Sequence, residues 1–138
     1  MTTQNLKYIG IAGCALAVIG AFLVWAKLTD GVTNIEIKGT DSGKDGTYSL
    51  ILALVTAAAI WFIGMKPWVI WVALAGAVLV LLIGIYDTID ISGTEVPEGV
   101  DISVGIGLWL TDLGGIIAVA AVGILKLNES KAGPALAT

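Results

Sequence analysis

Four apolar runs, residues 8–25, 48–65, 68–86 and 104–125, take up most of a 138-residue chain and leave it few ways to fold. Each approaches or exceeds the roughly 20 mostly apolar residues that a helix needs to cross a bilayer. Apolar residues form 57% of the chain, against about 45–50% in ordinary soluble domains. A water-soluble core of this size cannot hide that much. The expectation is a single integral membrane domain over residues 1–138, multi-pass in the cell membrane and surrounded by the lipid bilayer.

What lies between the runs repeats. Ile35-Glu36-Ile37-Lys38-Gly39-Thr40-Asp41 returns as Ile89-Asp90-Ile91-Ser92-Gly93-Thr94-Glu95. Both copies read Ile, acid, Ile, polar, Gly, Thr, acid, and each follows one apolar run and precedes another. Apolar residues two apart suit a strand with one covered face. The repeat predicts two strands, with Ile35, Ile37, Ile89 and Ile91 on the covered side and Glu36 and Asp90 turned to water. Val100-Asp101-Ile102-Ser103-Val104 alternates in the same way, so residues 88–92 and 100–104 together predict a β-hairpin. The fold class expected is a membrane all-α four-helix bundle with a small extracytoplasmic antiparallel β-sheet, built from external loops 26–47 and 87–103, and with a short tail at 126–138.

Lysine placement orients this arrangement. Lys7, Lys66, Lys126 and Lys131 share the side of the termini and the link between runs two and three, with Glu129 alone among the acids. Lys27, Lys38 and Lys44 lie on the loop side with nine acids. The excess of lysine predicts cytoplasmic termini and external loops. Tyr8, Trp25, Tyr48, Trp68, Tyr86 and Trp109 fall at or near the ends of runs, with Trp61 and Trp71 close to the Lys66 link. They read as an interfacial aromatic belt. The link Lys66-Pro67 is so short that runs two and three must form an antiparallel hairpin.

The residue inventory excludes several chemistries. The chain has seven Lys, no Arg and no His, and a net charge of -4. It therefore has no imidazole for haem, zinc or general-base work, no arginine fork for phosphate and no basic patch for nucleic acid. No catalytic, cofactor-binding or metal residues are assigned, and a non-enzymatic protein is expected. Cys14 is the one cysteine, so no intramolecular disulfide forms. Ile11-Ala12-Gly13-Cys14 is like a lipoprotein cleavage box, but Lys7 stands too near it for a usual h-region, and an uncleaved helix is expected. Asp41-Ser42-Gly43-Lys44-Asp45-Gly46 opens like a calcium loop, yet Gly43 and Leu52 stand where ligands belong, so it reads as a turn.

Two features inside the runs carry candidate residues. Gly107, Thr111, Gly115, Val119 and Gly123 recur every four residues in the last run, and Gly13, Ala17 and Ala21 do so in the first. Small stripes let membrane helices approach closely, within one chain or between subunits. Asp112 is the one acid inside a run, and a charge at a helix centre costs about 2.5–3.5 kcal/mol. Counted from residue 104 it lies about 12 Å along the helix, short of the midplane. It is read either as a structural hydrogen-bonding group or as an ion or proton site.

A first helix ending near Trp25, Gly43-Lys44-Asp45-Gly46 before the second, and Gly105-Ile106-Gly107-Leu108-Trp109-Leu110 opening the last resemble a group of small four-span bacterial and archaeal membrane proteins. The topology is also similar to that of claudin-type tetraspan proteins, whose four helices carry a sheet built from both external loops. The claudin motifs are absent, because Gly107-Leu108-Trp109 opens the last run and the loops hold no cysteine. The resemblance implies architecture and association through the external sheet, with no functional residue carried over. The function expected is structural or assembly-related, the chain acting as a homo-oligomer or as a subunit of a membrane assembly. The alternative is a small cation channel or transporter, or an accessory subunit, with Asp112 guiding the ion.

Overall fold

The computed structural model describes residues 2–39, 46–63, 65–95 and 97–132, with side chains to residue 128. In chain order the elements are α1 (Thr3–Phe22), β1 (Val24–Thr29), β2 (Asn34–Lys38), α2 (Gly46–Trp61), α3 (Val69–Ser92), β3 (Asp101–Val104) and α4 (Ile106–Ala132). The protein is thus mostly helical, with a small three-stranded antiparallel sheet ordered β2-β1-β3. α1, α3 and α4 are long and apolar enough to span a membrane, whereas α2 has 16 residues. At 1.5 Å per residue α2 covers about 24 Å, short of a hydrocarbon core about 30 Å thick.

The helices pack in a cycle in which α1 touches α2 and α4, and α3 touches the same two. Small residues line much of the inside of this cycle, beside Leu6, Ile60, Ile70 and Val122, and many large apolar ones lie outside. Gly10, Gly13, Ala17, Gly20 and Ala21 of α1 are buried, while Tyr8, Ile19 and Phe22 of the same helix are exposed. α3 repeats the division, burying Ala73, Gly76, Ala77 and Gly84 and exposing Leu79, Leu82, Ile85 and Tyr86. In water such an outer surface would be an aggregation liability. In lipid it is the ordinary arrangement, since close backbone contact rather than apolar burial holds the helices together.

One end of the helical cycle, the lysine end, carries Lys7, Lys66 and Lys126. The Lys7 ammonium donates to the Ile63 carbonyl at 2.6 Å, satisfying an orphan acceptor just beyond the end of α2. The Lys126 ammonium lies 4.6 Å from the centre of the Trp71 ring, a cation–π contact between α4 and the first turn of α3. The other end carries the sheet. A tight turn joins β1 to β2, with Gly31 at φ 88°, where a hairpin of the II′ kind places glycine. The Asp30 carboxylate accepts from the amides of Val32 at 2.9 Å and Thr33 at 2.6 Å. Those bonds, Thr33's first, hold its carboxyl below the usual carboxylate range.

Several expectations are corrected. The second copy of the repeat is no strand: Ile89, Asp90 and Ile91 form the end of α3, so the two copies do not pair. Residues two apart point about 200° apart on a helix. Ile91 is accordingly 2% exposed and Ile89 67% exposed, where both were expected on one covered side. Ile35 of β2 is also exposed, and only Ile37 packs on the core. The expected hairpin within residues 87–103 reduces to β3, which pairs with β1. The first run does not stay helical to Trp25. α1 stops at Phe22, and an extended Leu23 (ψ 177°) leads into β1. α4 runs through Ala132, past the expected start of the tail at residue 126. The turn expected over residues 41–46 falls largely outside the described residues.

Trp25 also departs from the aromatic belt. Partners shift register between Val24 and Ala26 in the β1–β2 ladder, which leaves Trp25 as the bulged residue. A bulge re-aims side chains, and here Trp25 and Ala26 are both buried although adjacent. They form a cluster with Ile91 and Leu108, flanked by Ile37, Ile102 and Val104. The indole N–H donates to the Gly20 carbonyl at 2.8 Å. Gly39 lies against the ring, where a Cβ would collide with indole atoms. The remaining belt residues, Tyr8, Tyr48, Trp61, Trp68, Trp71, Tyr86 and Trp109, are exposed.

Candidate functional site

Below the sheet, α3 and α4 enclose a small polar cluster. Asp112 lies about 9 Å along α4 at 1.5 Å per residue and faces Gly84 of α3, where a Cβ would overlap its carboxylate. Glycine at 84 therefore makes the space that the carboxylate fills. One turn further along α3, the Thr88 hydroxyl lies 2.7 Å from Asp112 Oδ2 and 2.8 Å from the Gly84 carbonyl. A hydroxyl has a single proton, so both contacts are full hydrogen bonds together only when Asp112 carries a proton and donates to Thr88. Asp112 Oδ1 is buried and has no hydrogen-bond partner among the described residues.

Asp87 and Thr88 were missed as interior residues because both fall in the expected external loop. α3 continues past Tyr86, however, and Asp87 is buried. Gly84, Asp87 or Thr88, and Ile91 are three and four residues apart, the period of one helix face. That spacing was the available signal. Thr88 and Asp112 are half-buried, and Ile91, one helical turn beyond Asp87 and Thr88, belongs to the apolar group of Trp25, Ala26 and Leu108.

The expected packing stripe of α4 splits among three surroundings. Gly107 and Thr111 lie against Gly20 of α1, Gly115 lies against Leu81 of α3, and Gly123 has nothing within 4 Å of where a Cβ would stand. A four-residue step turns about 400° on a helix, so a strict i+4 row drifts by about 40° each time. The residues of α4 that meet α1 alternate steps of three and four instead. Gly107, Thr111, Gly114 and Ala118 take part, facing Gly13, Ala17 and Gly20.

The strand candidates are likewise divided. Ile35, Glu36 and Ile37 lie in the outer strand β2, whose sheet neighbour among the described residues is β1, whereas Ile89, Asp90 and Ile91 belong to α3. Among the described residues, no group of three or more His, Cys, Asp or Glu side chains is placed to hold a metal ion. Comparison with protein families, curated proteins and solved structures gives no match to this chain.

Proposed function

We propose that the chain is a non-enzymatic integral membrane protein, a four-helix bundle with its termini in the cytoplasm and its sheet outside, which serves in assembly. It associates with further copies or with partner subunits through the sheet. The observation that carries this reading is the outer place of β2 in the sheet: among the described residues β1 is its one neighbouring strand, and Ile35 and Glu36 are exposed. An unpaired strand edge is a template for another strand. Glu36 is central in the five residues of β2, so antiparallel two-fold pairing of two copies brings it close to its own counterpart. Under mild oxidation in native membranes, Glu36→Cys is expected to give a cross-linked dimer, and Thr29→Cys is not. Cys14 is buried and does not compete. Monomer alone, both in the cross-linking and in mild detergent, rejects self-assembly.

A second reading, a cation path or an accessory subunit of a transporter, is favoured by Asp112, whose Oδ1 has no hydrogen-bond partner among the described residues. Intramembrane acids mark ion and proton routes by default. Under the assembly reading, Asp112→Asn leaves proteoliposome cation flux unchanged and the fold intact, because the amide can still hydrogen-bond Thr88, through its N–H as donor or its oxygen as acceptor. Loss of a flux that the unaltered protein supports, with the same thermal unfolding, would replace the first reading with the second.

A further inference from the structure

At the lysine end, α2 and α3 diverge around a groove of about 360 Å³. That is within the roughly 300–1,000 Å³ range of small-molecule sites. Its lining includes Val55 and Phe62 from the α2 side and Trp68 and Val72 from the α3 side, with Met65 from the link between them. Lys66 is the one charged residue among the described lining, and it is exposed. Charge at this end has a single sign among the described side chains: Lys7, Lys66 and Lys126 stand here, while the acids from Asp30 to Asp112 all belong to the sheet half.

These features match the chemistry of one occupant. An acyl chain fits an apolar groove on the lipid-facing side, and a phosphate headgroup fits the ammonium of an exposed lysine that borders it. Trp68, 58% exposed beside Lys66, is the kind of side chain that sits at headgroup level. We propose that the α2–α3 groove binds an anionic phospholipid of the surrounding bilayer, its chain along Val55, Phe62 and Val72 and its headgroup on Lys66. The proposal rests on the membrane reading above and adds a specific lipid site to it.

The test uses the full chain in nanodiscs of equal phosphatidylglycerol and phosphatidylcholine, with the lipids it retains read by native mass spectrometry. Retention of phosphatidylglycerol over phosphatidylcholine is expected. A lysine beside an anionic lipid contributes about 1 kcal/mol, so Lys66→Gln is expected to lower that preference about fivefold. Lys27→Gln, at the sheet end, leaves it unchanged. Ala58→Phe fills the groove while keeping Lys66 and is expected to remove the retained lipid. Three results overturn the site: an unchanged preference in Lys66→Gln, equal losses in Lys66→Gln and Lys27→Gln, or undiminished retention in Ala58→Phe. A chain that does not enter nanodiscs at all overturns the membrane reading itself, which separates that failure from failure of the site.

Discussion

Trp25→Ala is expected to destabilise the protein by about 3–5 kcal/mol, the cost of removing a large buried aromatic side chain from a packed site. Trp25 is 0% exposed and joins four elements of the fold: β1 through its own backbone, α1 through the indole bond to Gly20, and α3 and α4 through Ile91 and Leu108. Thermal unfolding in mild detergent measures the loss. Hydrogen exchange is expected to rise first in β1 and β3, because the amide of Gly105, just after β3, donates to the Trp25 carbonyl at 2.8 Å. Trp25→Phe keeps most of the packing and loses the indole bond, for about 0.5–1.5 kcal/mol. The Gly20 carbonyl still accepts from Leu23 at 3.1 Å. Trp61, Trp68, Trp71 and Trp109 are each more than half exposed, so their alanine variants are expected to cost far less. Equal effects at Trp25 and Trp109 would reject the division between one structural tryptophan and an exposed set.

That contrast also shows where sequence reading reached its limit. Helix length and apolar content identified α1, α3 and α4, because neither depends on partners. Strand β2 was legible from Ile35-Glu36-Ile37, and β3 from the alternation ending at Val104. The second Ile-acid-Ile was not, since three residues are too few to establish a period. What precedes each copy decides. The first follows the Gly31 turn, which starts a hairpin, whereas the second continues an unbroken helix until Gly93 caps it with an amide bond to the Ile89 carbonyl at 2.9 Å. The same glycine of the repeat thus lies against an indole ring in one copy and ends a helix in the other.

β1 was hidden for a different reason. Nothing in Phe22-Leu23-Val24-Trp25-Ala26 breaks an apolar helix, and the change to strand follows from tertiary pairing on both sides of β1, which local propensity does not encode. Within the polar cluster, Asp112 stood out as a lone acid, but its partner Thr88 depended on how far α3 continued. The small residues of α4 were visible as a composition. Which of them meet α1 followed from helical drift and from where the other helices stand.

The alanine variants of two glycines on opposite sides of that question are expected to change stability with opposite signs. At Gly20 a Cβ would stand 2.5 Å from the Gly107 carbonyl oxygen and 2.8 Å from the Thr111 amide nitrogen. Both are backbone atoms of α4, so neither can rotate away, and α1 must move off α4. The neighbouring close contact of Gly13 with Gly114, where a Cβ would stand 2.7 Å from the Gly114 carbonyl oxygen, is then loosened too. Overpacking of this kind costs about 1–3 kcal/mol, and Gly20→Ala is expected to lower the unfolding midpoint accordingly. At Gly123 a Cβ meets nothing within 4 Å. Gly123→Ala removes the backbone entropy that glycine loses in a helix, a gain of about 0.5–1 kcal/mol, and is expected to raise the midpoint. Parallel unfolding curves of the two variants in one detergent decide the matter. If both lower the midpoint, Gly123 is packed against something beyond this chain's own helices. If that second loss also depends on protein concentration, the packing partner is another copy, and the outward face of α4 joins the β2 edge as an assembly surface.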